Sequence, residues 1–536
     1  MLKLKYPKLK TLDLVFSAYL ILVLLVIFGY LPRGVVPYLV LVVCIYVLKA
    51  PLEDGVVFFV RSIPFFIAIP LTLHFDSFNA WRVISILIFL RWFIQPLRAG
   101  AGLNLEHFKT FFDFNKKRKV YLTSLLLLVL AVLSVGVAAS YTLAIKRVIY
   151  FVNLSLIATV IYDLAFKNSA LRVRLIKNIA VPVIIVALLG LLQTAMTYFV
   201  DIYQFMRIWG EGIELRLFGR EWSDIAIRGN TWFAYFGEQL SLRVFSIFPD
   251  SHSFPIFLLL GLPSIFAIAV TKVADGAHLG LKTMLKTRGR LFVLFVPLIF
   301  LMAILSGTRG IWAGVLGVLL AYGFWHIVLK RNRVKKERIN ILKYLASYMA
   351  LFFLLFSIAL PIFASPQFLV SKGDLGILGN RFRSIVDAGE TSNRRRIEIW
   401  TASLRSMVRK PFLGVGIGNF PVVVGEPLQK ADAGGTAHNV YLNIGAEMGI
   451  PALLAALYFL FLLLKKTYEN FRRSQDNFLT VYYSAVLLFI PWVLLYLLTD
   501  AALFDERAFL LFVTVCALIF SHHSTGLGQE KKPEVG

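Results

Sequence analysis

Long apolar runs, separated by short clusters of Lys and Arg, set the pattern of this chain. A helix crosses about 30 Å of hydrocarbon with roughly 20 apolar residues. Runs of that kind lie near 12–30, 35–49, 56–74, 81–97, 120–139, 148–166, 179–200, 252–271, 291–305, 310–329, 341–363, 439–464, 478–499 and 507–521. They predict an all-α polytopic membrane protein of about 14 transmembrane helices, with 12–14 as the range because the second and last runs are short. With the N-terminus placed in the cytoplasm, the basic stretches FNKKRKV, LRVRLIKN, LKTRGR, KRNRVKKER and KKTYENFRR all fall on the cytoplasmic side. Outside two long segments, the opposite side carries only Arg33, Lys146, Arg147 and Arg309. One miscounted span would invert every later loop, so this agreement predicts an even count and two cytoplasmic termini.

The same pattern divides the chain. Residues 1–200 are N-terminal transmembrane helices, 201–251 a first long outer loop, and 252–363 further helices with an outer turn at Arg309. A second long outer loop, 364–438, precedes the C-terminal helices 439–521 and a cytoplasmic tail, 522–536. Both long loops carry Trp and other aromatic residues, so they are expected to be folded, with short helices.

Composition narrows the class. Of 536 residues 58% are hydrophobic and 16% charged, and mean hydropathy is +0.76. That excludes a water-soluble enzyme, a disordered scaffold and a disulfide-rich secreted module. The net charge of +26 belongs to loops flanking the membrane and implies no nucleic-acid partner. Cys44 and Cys516 lie in apolar runs, which excludes a disulfide framework or a Cys-based metal site. The basic N-terminus runs into apolar sequence without a small-x-small cleavage site before Pro32, and reads as an uncleaved first span.

Candidate chemistry concentrates on the outer side. Between Arg381 and Lys410 stand eight basic residues, Arg394, Arg395 and Arg396 among them, with three acids, Asp387, Glu390 and Glu398. The segment SNRRRIEIWTASLRSMVRKP reads as a helix capped by Ser392 or Asn393, ended by Pro411, with Ile397, Trp400, Leu404 and Val408 as one apolar stripe. It suits either lipid anchoring or a grip on a phosphate-bearing substrate. Gly414, Gly416 and Gly418 in PFLGVGIGNF read as a tight turn that lets backbone approach another element, not as a nucleotide loop. In AHNVYLNIGAEMGIPALL, His438 stands at the outer mouth of a span, Asn439 can cap the helix, Glu447 follows, and Gly449–Ile450–Pro451 interrupts it. A lone histidine is commonly a structural hydrogen-bonding group, but at this boundary it can also take a proton near neutral pH. Arg309, in SGTRGIW, either snorkels to the interface or forms an anion site beside Ser306 and small glycines. Arg243 precedes a proline-containing re-entry to the membrane, and His252 reads as a neighbour of a helix N-terminus. Arg61, Arg82 and Arg91, in or at the ends of spans, suit function or packing equally.

Taken in order, Arg243 with a following Pro, SGTRG, RRRIEIW, P-x-L-G-x-G-x-G-N-F and AHN-x-Y-L-x-x-x-A-E-x-G-I-P resemble the bacterial O-antigen ligase and O-antigen polymerase superfamily. The resemblance covers about 241–460 and is most specific over 396–451; RVFSIFPDSHSFP around Arg243 departs from the family's usual pattern. It implies a GT-C-like glycosyltransferase in the bacterial cytoplasmic membrane, acting at the periplasmic face. Its donor would be a glycan on undecaprenyl pyrophosphate. Its acceptor would be a hydroxyl on lipid A-core or on another glycan, with membrane lipids as surroundings and neither cofactor nor metal. Such a transfer needs a base for the acceptor hydroxyl and charge stabilisation for the leaving diphosphate. Those roles are expected of His438 and Arg309, with Arg243, Arg395, Arg396, Asn439, Tyr441 and Glu447 as substrate contacts. The competing readings are a repeat-unit polymerase or protein O-oligosaccharyltransferase within the same class, a polysaccharide transporter or flippase, and a scaffold subunit.

Overall fold

The computed structural model describes residues 11–72, 76, 78–98, 114–228, 231–236, 239–274, 290–369, 391–426 and 435–522. Each apolar run of the sequence coincides with helix, and seven of the described helices are long and apolar enough to cross a membrane. The chain is thus a multi-pass helical protein. Two of the runs are broken. The third holds the helix Leu52–Ser62, a short 3-10 turn and the strand Ala68–Ile69, which pairs antiparallel with Phe78–Asn79. The run at 439–464 divides into Val440–Met448 and Ile450–Arg473, because Gly449 takes a φ of 87° that ends one helix and starts the next.

Two helices form the centre. Ser253–Ala274 and Asn477–Tyr496 pack along each other, and 89% and 83% of their apolar windows are buried. The helix Arg309–Arg331 lies against Asn477–Tyr496 through a stripe of glycines. A Cβ on Gly314 would come 2.6 Å from the Trp492 ring, and one on Gly317 would come 2.9 Å from the Pro491 carbonyl oxygen. Close helix approach of this kind is what small residues permit in membranes. Gly314→Leu is therefore expected to lower the melting temperature of the purified protein, with overpacking costing about 1–3 kcal/mol. Gly323→Leu, where nothing lies within 4 Å of the added Cβ, should leave it nearly unchanged.

Among the described residues, the basic connections at 167–178, 330–340 and 465–477 gather at one end of the bundle. Arg338 donates to the carbonyls of Phe471 and Ser474, Asn332 to the Tyr468 hydroxyl at 2.7 Å, and Asn470 to the Ile519 carbonyl at 2.8 Å. Arg172 donates to the Ser521 carbonyl at 3.3 Å, and Arg174 pairs with Asp54 at 2.6 Å. Helices that start here end at the opposite pole, where the starts of Ser253–Ala274, Arg309–Arg331 and Val440–Met448 meet the end of Asn477–Tyr496.

The arginines of the N-terminal spans have structural partners. Arg61 pairs with Asp13 at 2.7 Å and also donates to Asn178. Arg82 pairs with Glu506 at 2.6 Å, and Arg91 donates to the Val47 carbonyl. Of the two readings open to them, these contacts favour packing. The first long loop contains short helices as expected. It also holds an element that the sequence reading lacked, a hairpin of Phe233–Phe236 with Gln239–Leu242.

Candidate functional site

Arg243 leaves that hairpin into the site. Its backbone N–H donates to the Trp232 carbonyl at 2.7 Å, and Val244 N–H donates to the Leu305 carbonyl at 3.0 Å. The loop is thereby tied to the 306–309 turn. The guanidinium then donates to the Ser306 carbonyl at 3.3 Å, to Thr308 Oγ1 at 3.2 Å and to His252 Nε2 at 3.3 Å. Gly307, with a φ of 63°, keeps that turn against the arginine stem, where a Cβ would stand 3.0 Å from Cγ.

An arginine can only donate, so His252 Nε2 is the accepting nitrogen and Nδ1 carries the hydrogen. Nδ1 faces Asp500 Oδ2 at 2.9 Å and the Tyr496 hydroxyl at 3.2 Å. His252 thus neighbours the start of the Ser253–Ala274 helix, as expected, and also bridges Arg243 to a buried carboxylate. Asp250 is the residue that serves the helix end, accepting from the N–H groups of His252 at 2.8 Å and Ser253 at 2.7 Å. Burial pushes the Asp500 carboxyl up. The adjacent His252 and its hydrogen bond, with His438 and Arg396 further out, outweigh burial and hold the acid well below the usual carboxylate range. Asp500 is 6% exposed and its Oδ1 accepts from the Ala502 N–H at 3.0 Å.

His438 is within electrostatic reach of the same carboxylate. It is the last residue but one before Val440–Met448 and has a φ of 45°, a left-handed conformation rare outside glycine. Its neighbours impose that backbone. Ala437 N–H donates to Asn443 Oδ1 at 3.1 Å, and the Ala437 carbonyl accepts from the Trp400 indole at 3.0 Å. Asn439 caps the helix by accepting from the N–H groups of Tyr441 at 2.9 Å and Leu442 at 3.0 Å. Val440 N–H donates to the Leu497 carbonyl at 3.0 Å, which anchors the His438 turn beside the Asp500 turn. Burial pushes the His438 imidazole below its ordinary value; Asp500 opposes this, and Arg396, His252 and Arg395 add to it. The ring is therefore neutral at pH 7 and able to accept a proton.

The helix predicted over the arginine cluster spans Thr391–Arg409. Ser392 and Asn393 fall inside its first turn, so neither is the residue before it. Ile397, Leu404 and Val408 of its apolar stripe are exposed, whereas Ser403 and Met407 on another face are buried. Arg394 and Arg395 point outward, pairing with Glu398 at 3.3 Å and Glu426 at 3.4 Å. Arg396 is half-buried and acts on His438, Asp500 and Tyr496. The residues Arg381, Arg383, Asp387 and Glu390 lie outside the described segments.

Arg309 is the first residue of its helix and half-buried. On one side stands Thr308, which Arg243 touches; on the other stands Gly310, packed against Thr499 and the Tyr496 ring. Its backbone is thus fixed between Arg243 and the Asp500 turn.

Two expected substrate contacts are placed elsewhere. Glu447 is 8% exposed and its Oε1 accepts from the Phe420 N–H at 3.1 Å, so it secures the glycine turn. Val415 and Gly416 N–H groups donate to the carbonyls of Ala446 and Glu447 at 3.0 and 2.9 Å, which is the close backbone approach the glycines predict. Tyr441 donates its hydroxyl to the Leu494 carbonyl at 2.9 Å and ties two helices together. Among the described residues no group of three or more His, Cys, Asp or Glu is arranged to hold a metal.

Residues 293–457 match the family model described as O-antigen ligase. Over those residues the chain is similar to O-antigen ligases. The match spans under a third of the chain and includes Arg309, Arg396 and His438, whereas Arg243, His252 and Asp500 lie outside it. No curated protein matches the chain. That similarity, with the apolar helices, supports a membrane role in polysaccharide biosynthesis. It also indicates a glycosyltransferase-like ligase or polymerase activity, with a lipid-linked glycan donor and a glycan acceptor.

Proposed function

We propose that the cluster around Asp500 is the transfer centre of a ligase-like glycosyltransferase. It would move a glycan from undecaprenyl pyrophosphate to an acceptor hydroxyl, on lipid A-core in the first instance, at the periplasmic face of the bacterial inner membrane. The carrying observation is the convergence on one buried carboxylate of His252, bound to Arg243, and of His438, beside Arg396. That convergence supplies a base and a bank of cations at one pole of the bundle.

In this reading the acceptor oxygen attacks the anomeric carbon, and the bond from that carbon to the diphosphate oxygen breaks. The electron pair leaves with the diphosphate. The hydroxyl proton passes to the neutral His438 imidazole, whose resulting charge is favoured by ionised Asp500. Arg309 and Arg243 meet the growing negative charge on the leaving diphosphate, and Arg396 with Arg395 orients the glycan or acceptor. Each of these steps is met by the chain's own side chains.

The pH dependence follows from His438. Its proton-accepting form persists to lower pH than that of an ordinary imidazole, so transfer should fall only as pH drops through that depressed value. Asp500 raises the His438 pKa. Asp500→Asn is thus expected to shift the acid limb of a kcat–pH profile to still lower pH, and to lower the maximal rate because the imidazolium formed in the transfer loses its counter-charge. An unshifted acid limb would detach Asp500 from the base.

Deletion of the gene distinguishes this reading from its relatives. Full-length lipid-linked polymer should accumulate if the chain is a ligase. Single lipid-linked repeats would indicate a polymerase, and loss of lipid-linked glycan from the outer face would indicate a transporter.

A further inference from the structure

Four helices line a half-open cavity that reaches toward that cluster without including it. Phe114–Val135, Tyr141–Lys167, Glu506–Phe520 and Ile450–Arg473 each pack against the next and close a ring. The space inside is about 1290 Å³. Its middle is walled mainly by apolar side chains such as Leu128, Leu460 and Phe512, with the hydroxyls of Ser155 and Thr159 among them. Interiors are close-packed, so an apolar space of this size calls for an apolar guest.

The two ends differ in charge. One end is lined by Lys119, Lys465, Lys466 and Arg473, with Glu469 the acid among them. Lys466 lies within electrostatic reach of Glu469, Arg473 and Arg172. This is the pole of the basic short connections, where Arg338 binds the carbonyls of Phe471 and Ser474. The other end is lined by Val440, Tyr441, Leu497 and Leu503, next to the His438 turn. From Lys466 back to Ile450 the helix rises about 24 Å, more than the roughly 15 Å of one leaflet's acyl layer.

We propose that this cavity binds an anionic glycerophospholipid from the leaflet at the basic pole, its head-group phosphate on Lys119, Lys465, Lys466 and Arg473 and an acyl chain along the apolar interior. The charge distribution selects this guest. Basic pockets between membrane helices on the cytoplasmic side suit anionic head groups. The diphosphate of a polyprenyl donor held here would sit at the His438 end, where the lining residues named above carry no positive charge. The inference is independent of the transfer chemistry, because no residue of the Asp500 cluster lines the cavity.

The test uses the full-length protein in neutral detergent, with phosphatidylglycerol and phosphatidylcholine of identical chains as probes. Native mass spectrometry counts retained lipid and a melting curve reports stabilisation. Wild type should retain phosphatidylglycerol and melt higher with it, and show neither effect with phosphatidylcholine. The double variant Lys465→Gln/Lys466→Gln should bind phosphatidylglycerol about 30-fold more weakly. Ala158→Phe, which fills the interior and leaves the cations in place, should also abolish retention. Lys119→Gln on a separate helix replaces the double variant if that one does not fold. Equal retention of the two lipids, wild-type binding by the charge and filling variants together, or preferential retention of undecaprenyl phosphate would overturn the proposal.

Discussion

Replacing His438 by Ala is expected to lower glycan transfer by about 10²–10⁴-fold, the contribution of a general base, while membrane protein level stays normal. The size of the effect comes from the surroundings of the ring. The left-handed turn at 438 is held by Asn443, Trp400 and the cap at Asn439, none of which needs the imidazole. Removing the ring therefore takes away a proton acceptor without loosening the turn. His438→Gln, which can hydrogen-bond but cannot take the proton at neutral pH, should be nearly as inactive as Ala. Product glycan on gels, normalised to protein by immunoblot, reads both variants. Wild-type product from either would remove His438 from the chemistry.

The second large effect is expected at Arg309. Losing a donor aimed at developing charge costs about 10²–10³-fold, and Arg309→Ala should fall in that range. Arg309→Lys should restore only part of it, because an ammonium cannot make the two parallel donations of a guanidinium to a diphosphate. Arg394→Ala provides the contrast. Its partner is Glu398 on an exposed helix face, and the exposed pair contributes little. A set in which Arg309→Ala and Arg394→Ala lose activity equally would point to general loss of positive charge. Retention by Arg394→Ala with loss at Arg309 assigns the effect to position.

Much of this arrangement was legible in the sequence because membrane burial leaves a coarse signal. Apolar runs marked the helices, and the basic connections 167–178, 330–340 and 465–477, which share one side by alternation, meet at one pole of the bundle. Local chemistry was legible where one residue type has one efficient use, as with the Asn439 cap and the glycine turn against Ala446 and Glu447. What escaped was long-range. Asp500 lies 248 residues from His252 in the chain, and nothing local announces that their side chains meet at 2.9 Å. A usable signal did exist: Asp500 is an acid at the outer end of an apolar run, where an isolated charge is costly without a partner. Glu447 was misplaced for the opposite reason, since its position along a helix from His438 suggested the site while the backbone N–H of Phe420 takes its carboxylate. The apolar stripe of Thr391–Arg409 likewise told the helix but not which face the protein covers.

The central claim is that His438 and Arg309 serve one glycosyl transfer. Its most direct test is a proteoliposome assay with a polyprenyl-diphosphate-linked glycan and a hydroxyl acceptor, following release of polyprenyl diphosphate and glycosylated acceptor together. The account predicts that the two products form one for one with wild-type protein, and that neither forms above background with His438→Ala or Arg309→Ala. Donor carried across the bilayer chemically intact, or matched product formation by both variants at the wild-type rate, would contradict it.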